Sequence, residues 1–227
     1  MKNLLARGGV EFLAVLLGIS ASLWIDSNNK EAELVSQRQD TYQLLENQME
    51  ELLNYSNSKL NHYELQVKRS GLIIDQWETI QFDTIKNKDL YISDIWSSIK
   101  NAFYPDFTTY ETLMNNGQIN LVDFETIKYF GRLYKYMDDI NGVQKKERGW
   151  RDFLENHFMT KYAASFKKYE ILNNLFELFD LTKNDPIVFA HLKMVVSIHG
   201  ERKRRVENFK NKLIEIQNHL AEVKNDK

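Results

Sequence analysis

Val10-Glu11-Phe12-Leu13-Ala14-Val15-Leu16-Leu17-Gly18-Ile19-Ser20-Ala21-Ser22-Leu23-Trp24-Ile25-Asp26 is the most apolar run of this 227-residue chain, and its reading decides the architecture. Between Phe12 and Ile25 only Ser20 and Ser22 are polar. A membrane-spanning helix needs about 20 mostly apolar residues. Residues 4–25 meet that length by including Arg7 and Glu11, whereas the uninterrupted part alone covers roughly 21 Å. The reading is a signal anchor. A cleaved signal peptide would use Lys2 and Arg7 as its basic region and cut near Ser20-Ala21-Ser22. Glu11 inside the apolar region argues against it. A buried core helix is the third reading.

Lys2 and Arg7 precede the run, and Asp26, Lys30, Glu31 and Glu33 follow it. The positive flank stays cytoplasmic. The chain is therefore expected in a bacterial inner membrane, single-pass, with its C-terminal part in the periplasm. Trp24 suits an interfacial anchor. Glu11, Ala14, Gly18 and Ser22 step by three or four and share one helix face. Small residues at that spacing let membrane helices approach closely, and a protonated Glu11 could hydrogen-bond across the contact. These four residues are the candidate membrane helix–helix interface of a homo-oligomer. The bland reading pairs Arg7 with Glu11 one turn away.

Outward from the anchor, the chain reads as all-α: an N-terminal transmembrane helix followed by an elongated helical bundle. Residues 1–26 form the tail and anchor, and residues 27–227 one helical domain. Pro and Gly are scarce, 2 and 9, which favours long helices. Residues 26–69 read as one amphipathic helix with Leu34, Thr41, Leu45, Gln48 or Met49, Leu52, Leu60, Tyr63 and Val67 on its apolar stripe. No breaker separates Trp24 from Ser70, so the membrane helix is expected to run directly into the domain. Gly71 is expected to end or bend it. Short helices are expected over residues 72–80 and 90–104, the second stopped by Pro105. Thr108 and Glu111 have capping-box spacing, and Gly117 suits a left-handed helix stop. Asp123 is expected to cap a helix ending near Asn141-Gly142. A further helix covers residues 145–168, residues 172–181 are strongly apolar, and Asp185-Pro186 starts a last helix that Gly200 kinks or breaks.

The apolar anchor run, and the later run Thr109-Tyr110-Glu111-Thr112-Leu113-Met114-Asn115-Asn116-Gly117-Gln118-Ile119 with its aromatic-rich sequel, carry a family likeness. The chain resembles a family of uncharacterised single-pass bacterial proteins common in Bacteroidetes. The resemblance implies a membrane-anchored helical domain and no known activity.

Chemistry-bearing patterns are weak. No Cys is present, so disulfide and thiolate chemistry are excluded. His62, His157, His191, His199 and His219 include no pair four apart and no HExxH. Only His191 and His199, eight apart, could share a face. Asp138-Asp139 and Asp75 read as solvated carboxylates. Glu201-Arg202-Lys203-Arg204-Arg205 is the sharpest charge run, interleaved with Glu207 and Glu215, and reads as a solvated helix face. Tyr129, Phe130, Tyr134 and Tyr136 alternate with Lys128, Arg132 and Lys135, a ligand surface or, more simply, core packing. The formal net charge of −2 gives no attraction to nucleic acid. No catalytic residue, cofactor or metal site is expected. The expected function is a non-enzymatic interaction or scaffold protein of the cell envelope, with the lipid bilayer and a second copy or an envelope protein as partners. The alternative is a periplasmic sensor or ligand-binding module acting through a partner.

Overall fold

The computed structural model describes residues 2–87, 90–91, 94–95, 102–163 and 175–225, with side chains from 15 onward except at 83, 175–177 and 225. The chain is all-α, and no strand occurs among the described residues. The helices are α1 (Lys2–Asp75), α2 (Thr108–Asn115), α3 (Phe124–Lys161), α4 (Leu175–Leu181) and α5 (Pro186–Asn225). Among the described residues no helix is long and apolar enough to cross a membrane. The side chains of Glu11 and Ala14, and most of the expected helix over residues 90–104, lie outside the described residues.

No helix ends at the three glycines where an end was among the expectations. Helix α1 passes through Gly71, α3 through Gly142 and α5 through Gly200. A glycine inside a helix costs about 1 kcal/mol. The buried neighbours Ser70 and Ile73, Ile140 and Val143, Ile198 and Arg202 hold each segment helical, and tertiary packing outweighs that cost. Helix α2 begins at Thr108 with Phe107 as its N-cap, which makes no side-chain cap bond. Gly117 does take the left-handed conformation, φ 78°. Asp123 caps α3 by accepting the Thr126 N–H at 2.9 Å.

The chain divides into two compact units: residues 1–48 with 107–127, and residues 49–106 with 128–227. In the first, every side chain from Val15 to Asp40 is exposed, and burial begins at Thr41 and Tyr42. The Tyr42 hydroxyl donates to Asp123 Oδ2 (2.8 Å) and accepts from the Asp123 N–H (3.1 Å). Gln48 Oε1 accepts the Tyr110 N–H at 2.8 Å, and Arg38 Nε donates to the Leu121 carbonyl at 2.8 Å. Leu45, Tyr110, Leu113, Ile119 and Val122 are buried here.

The second unit holds three long helical segments. Each buries a stripe stepping alternately by four and three. On α5 it runs Val188, Leu192, Val195, His199, Arg202, Val206, Phe209, Leu213, Ile216, Leu220. On α3 it runs Phe130, Leu133, Met137, Ile140, Gln144, Glu147, Arg151, Leu154, Phe158. On α1 it runs Met49, Leu52, Ser56, then Tyr63, Gln66, Ser70, Ile73, with half-buried Lys59 between. This is the a/d seam of coiled-coil packing, sustained over several heptads. Pairs such as Tyr129 with His219, Asp139 with Arg205 and His157 with Asp185 set α3 antiparallel to α5. Tyr63 with Arg202, Ser70 with His199 and Trp77 with Phe189 set α1 antiparallel to α5 as well.

The seam is layered. At one end Ile73, Trp77, Phe82, Leu154, Phe158, Leu178, Phe179, Val188 and Leu192 form one apolar cluster. Towards the other end Phe103 meets Phe209 edge-on at 5.3 Å. Between these lie the polar seam residues.

Candidate functional site

The polar layer is the strongest candidate site. Glu147 and Arg151 come from α3, His199 and Arg202 from α5, Gln66 and Ser70 from α1. All six are buried. Helical spacing places them there: each occupies a seam position where its neighbours four and three residues away are apolar or belong to the same layer. The Glu147 carboxylate is the hub. Its Oε1 accepts from Arg151 Nη2 and its Oε2 from Arg202 Nη1, while His199 Nε2 lies 3.3 Å from Oε1. Arg202 also donates to Gln66 Oε1, and its guanidinium carbon sits 4.6 Å from the centre of the Tyr63 ring. Gln66 Nε2 donates to the Asp94 carbonyl at 2.5 Å and lies 3.5 Å from His199 Nε2. Ser70 Oγ stands 3.3 Å from His199 Nδ1. At the edge of the layer Arg69 donates twice to the Asp94 carboxylate, its Nη2 at 3.0 Å.

Burial, then the fields of Arg202 and Arg151, push the His199 pKa well below its ordinary value, so the ring is neutral. Burial also lowers both arginines, Arg151 and Arg202, to about 10, which leaves them charged at neutral pH. Lys59 is lowered by burial and then by Arg202. These groups are locked by one another, an arrangement suited to fixing helix register.

A second cluster gathers on Asp185, the N-cap of α5. Its Oδ1 accepts the Ile187 N–H at 2.9 Å. Its Oδ2 accepts from the Tyr162 hydroxyl (2.7 Å) and Lys161 Nζ (2.8 Å), with His157 Nε2 2.9 Å away. Burial alone would raise the Asp185 pKa. The hydrogen bonds from Lys161, His157, Tyr162 and Ile187 together outweigh it and hold the carboxyl well below its ordinary range. The hydrogen bond to Asp185 raises the pKa of Lys161, and burial followed by the same bond raises that of Tyr162. Both therefore stay protonated, the reverse of what a base or nucleophile requires. An open cleft of about 510 Å³ beside the cluster is lined by Trp77, Glu78, Lys183, Asn184, Asp185, Pro186 and Phe189.

A carboxylate with a depressed folded-state pKa contributes stability above 3.8, its ordinary value, and loses that contribution as pH falls further. The urea midpoint of the wild type is expected to drop more steeply between about pH 5 and pH 3 than that of Asp185→Asn. Parallel acid limbs for the two proteins would remove Asp185 as a source of acid sensitivity.

The sequence candidates scatter. Gly18 and Ser22 are exposed on α1, and a Cβ at Gly18 would meet nothing within 4 Å. The basic run does not form one solvated face: Arg202 is fully buried while Arg204 is exposed. His191 and His199 part company, since His191 stacks on Phe153 at 4.1 Å and His199 enters the polar layer. Asp75, Asp138 and Asp139 are exposed, and Asp139 lies 3.6 Å from Arg205. Phe130 is core, and Arg132 sits over Tyr129. Among the described residues no group of His, Cys, Asp or Glu could hold a metal ion. The sequence reading missed Glu147, Arg151, Gln66 and Ser70. The usable signal was their four–three spacing in line with Leu154, Phe158 and Ile73.

Comparison with protein-family models, with curated proteins and with solved structures finds no match for this chain.

Proposed function

We propose that this chain is a membrane-anchored, non-enzymatic interaction protein of the bacterial cell envelope, with residues 4–25 in lipid and the helical units on the periplasmic side. The carrying observation is the surface of α1 over residues 15–25. Val15, Leu16, Leu17, Ile19, Leu23, Trp24 and Ile25 are all large, apolar and exposed, from 46% at Leu16 to 67% at Leu17 and Trp24. At about 100° per residue they point to every side of the helix. A helix that is apolar all round needs cover all round, and a partner docked on one side would leave the rest wet. Residues 4–14 extend the stretch to about 33 Å, the thickness of a bilayer core. The excess of Lys2 and Arg7 over acids on the N-terminal flank favours the outward orientation. The likeness to single-pass helical proteins points the same way. Glu11, Ala14, Gly18 and Ser22 are the proposed contact between two copies within the bilayer.

Alkaline carbonate extraction of cell membranes tests the anchor. Full-length chain is expected to stay in the membrane pellet, and a variant lacking residues 1–26 to move to the supernatant while keeping its helical circular dichroism. Recovery of the full-length chain in the carbonate supernatant, or a mature chain starting after Ser22, refutes it.

A further inference from the structure

We infer that the outer groove between α3 and α5 of the second unit docks a second copy of this chain, lying parallel to the first. It rests on the reading that residues 4–25 lie in lipid, since a shared membrane sets two copies side by side in the same orientation.

The groove follows from helix periodicity. One step outward from the buried seam, α5 carries Ile187, Ala190, Met194, Ser197 and Glu201, and α3 carries Lys146, Trp150 and Phe153, again spaced by three and four. The two flanks meet at His191, whose ring stacks on Phe153 at 4.1 Å and lies 5.0 Å from Trp150. Ile187 and Met194 stand one turn to either side of His191. Phe153 is 51% exposed, Ile187 44% and Met194 43%. One wet apolar side chain is ordinary. Three of them around two half-buried rings form a continuous apolar patch, the mark of an interaction surface.

The rim selects the occupant. His191 lies level with Phe153, and Arg205 of α5 lies level with Asp139 of α3, 3.6 Å away. Lys146 falls midway between Asp139 and Phe153, so it is level with Ile198 and one turn from Glu201. The rim therefore alternates: α3 is basic where α5 is acidic, and acidic where α5 is basic. A two-fold axis parallel to the helices sets α3 of one copy over α5 of the other at the same level. Phe153 then covers Ile187 and Met194 of the second copy, Lys146 meets the second copy's Glu201, and Asp139 the second copy's Arg205. Each of these charges finds its opposite. A two-fold axis across the helices sets α3 over α3 with the levels reversed, and that pairing is lost. The patch is small beside the roughly 800 Å² per partner of a stable soluble complex. Two copies held in one membrane need less, because their second contact is in effect intramolecular.

The chain has no Cys, so a single introduced thiol reports alone. Ala190→Cys places it on the exposed patch between Ile187 and Met194, and Glu64→Cys places it on the exposed face of α1. A bismaleimide spanning about 10 Å, one helix diameter, is added to native membranes containing the full-length chain. Ala190→Cys is expected to give at least about tenfold more covalent dimer than Glu64→Cys. Adding Met194→Glu or Lys146→Glu to Ala190→Cys is expected to cut the dimer, and Lys146→Glu with Glu201→Lys to restore it. No dimer from Ala190→Cys, equal dimer from both thiols, or a dimer indifferent to Met194→Glu overturns the docking surface. In each case a chain that carbonate leaves in the pellet keeps its anchor. Full-length chain in the carbonate supernatant refutes the anchor, and this parallel contact with it.

Discussion

Glu147→Ala is expected to lower the stability of the second unit by about 3–5 kcal/mol, the cost of removing one member of a buried ion pair. The size follows from what remains. Glu147 takes hydrogen bonds from Arg151 and Arg202 and stands 3.3 Å from His199. Its loss strands two cations that are almost wholly out of water. Helix packing on both sides keeps water from reaching them, because the flanking seam residues Leu154, Val195 and Val206 are at 0% exposure. Urea denaturation followed by circular dichroism measures the change. A loss under about 1 kcal/mol would mean that Arg151 and Arg202 reach solvent once freed, as surface pairs do. The converse design separates stability from specificity. Replacing Glu147, Arg151 and Arg202 together by Leu or Met removes every desolvated charge of the triad, and the midpoint is expected to hold or rise. What such a core loses is the single register that the polar layer selects, visible as broadened or doubled NMR resonances.

The second large effect falls on the apolar end of the same unit. Trp77→Ala is expected to cost about 3–5 kcal/mol, the usual range for truncating a buried Trp. Trp77 is 4% exposed and lies 5.7 Å from Phe82, 5.9 Å from Phe179 and 5.8 Å from Phe189, ring centre to ring centre. Its Nε1 donates to the Lys183 carbonyl at 3.0 Å, which ties the turn that follows α1 to the approach to α5. Trp77→Phe keeps most of the aromatic body and removes that bond. Its expected cost beyond repacking is about 1 kcal/mol. A difference between the two variants of less than about 1 kcal/mol in urea midpoint energies would show that the hydrogen bond, and not the aromatic packing, dominates at this position.

The sequence announced helices readily and their ends less well. Asp123, Asp185-Pro186 and Gly117 were legible because each acts through local chemistry: a short acceptor, a fixed φ, a missing Cβ. Gly71, Gly142 and Gly200 do not end their helices, because an interior glycine costs only about 1 kcal/mol and packing along a long seam exceeds it. The polar layer was illegible for a related reason. Apolar periodicity marks a buried stripe in sequence, and on every long helix the seam passes through polar residues. Glu201-Arg202-Lys203-Arg204-Arg205 looked like one charged face, yet one helical turn carries adjacent residues to different sides, and only Arg202 aligns with Val195, Val206 and Phe209. His199 carries no local signal because its partners, Glu147 and Ser70, are 52 and 129 residues away in sequence. Phe82 stands between Gln81 and Asp83, and these polar neighbours give no cue that Trp77 and Phe179 enclose it.

On the proposal that residues 4–25 lie in lipid, the exposed run of α1 between Ile25 and Arg38 sets a clearance. With Ile25 at the bilayer edge, 13 helical steps raise Arg38, the first side chain held to another segment, by at most about 20 Å, less if the helix tilts. A neighbour lying flat on the membrane would find only this naked rod within its grasp. Any ally that grips the folded part of the first unit must itself stand that tall, and cross-linking reagents of graded span, reacted from the lipid headgroups, would read the gap as a ruler.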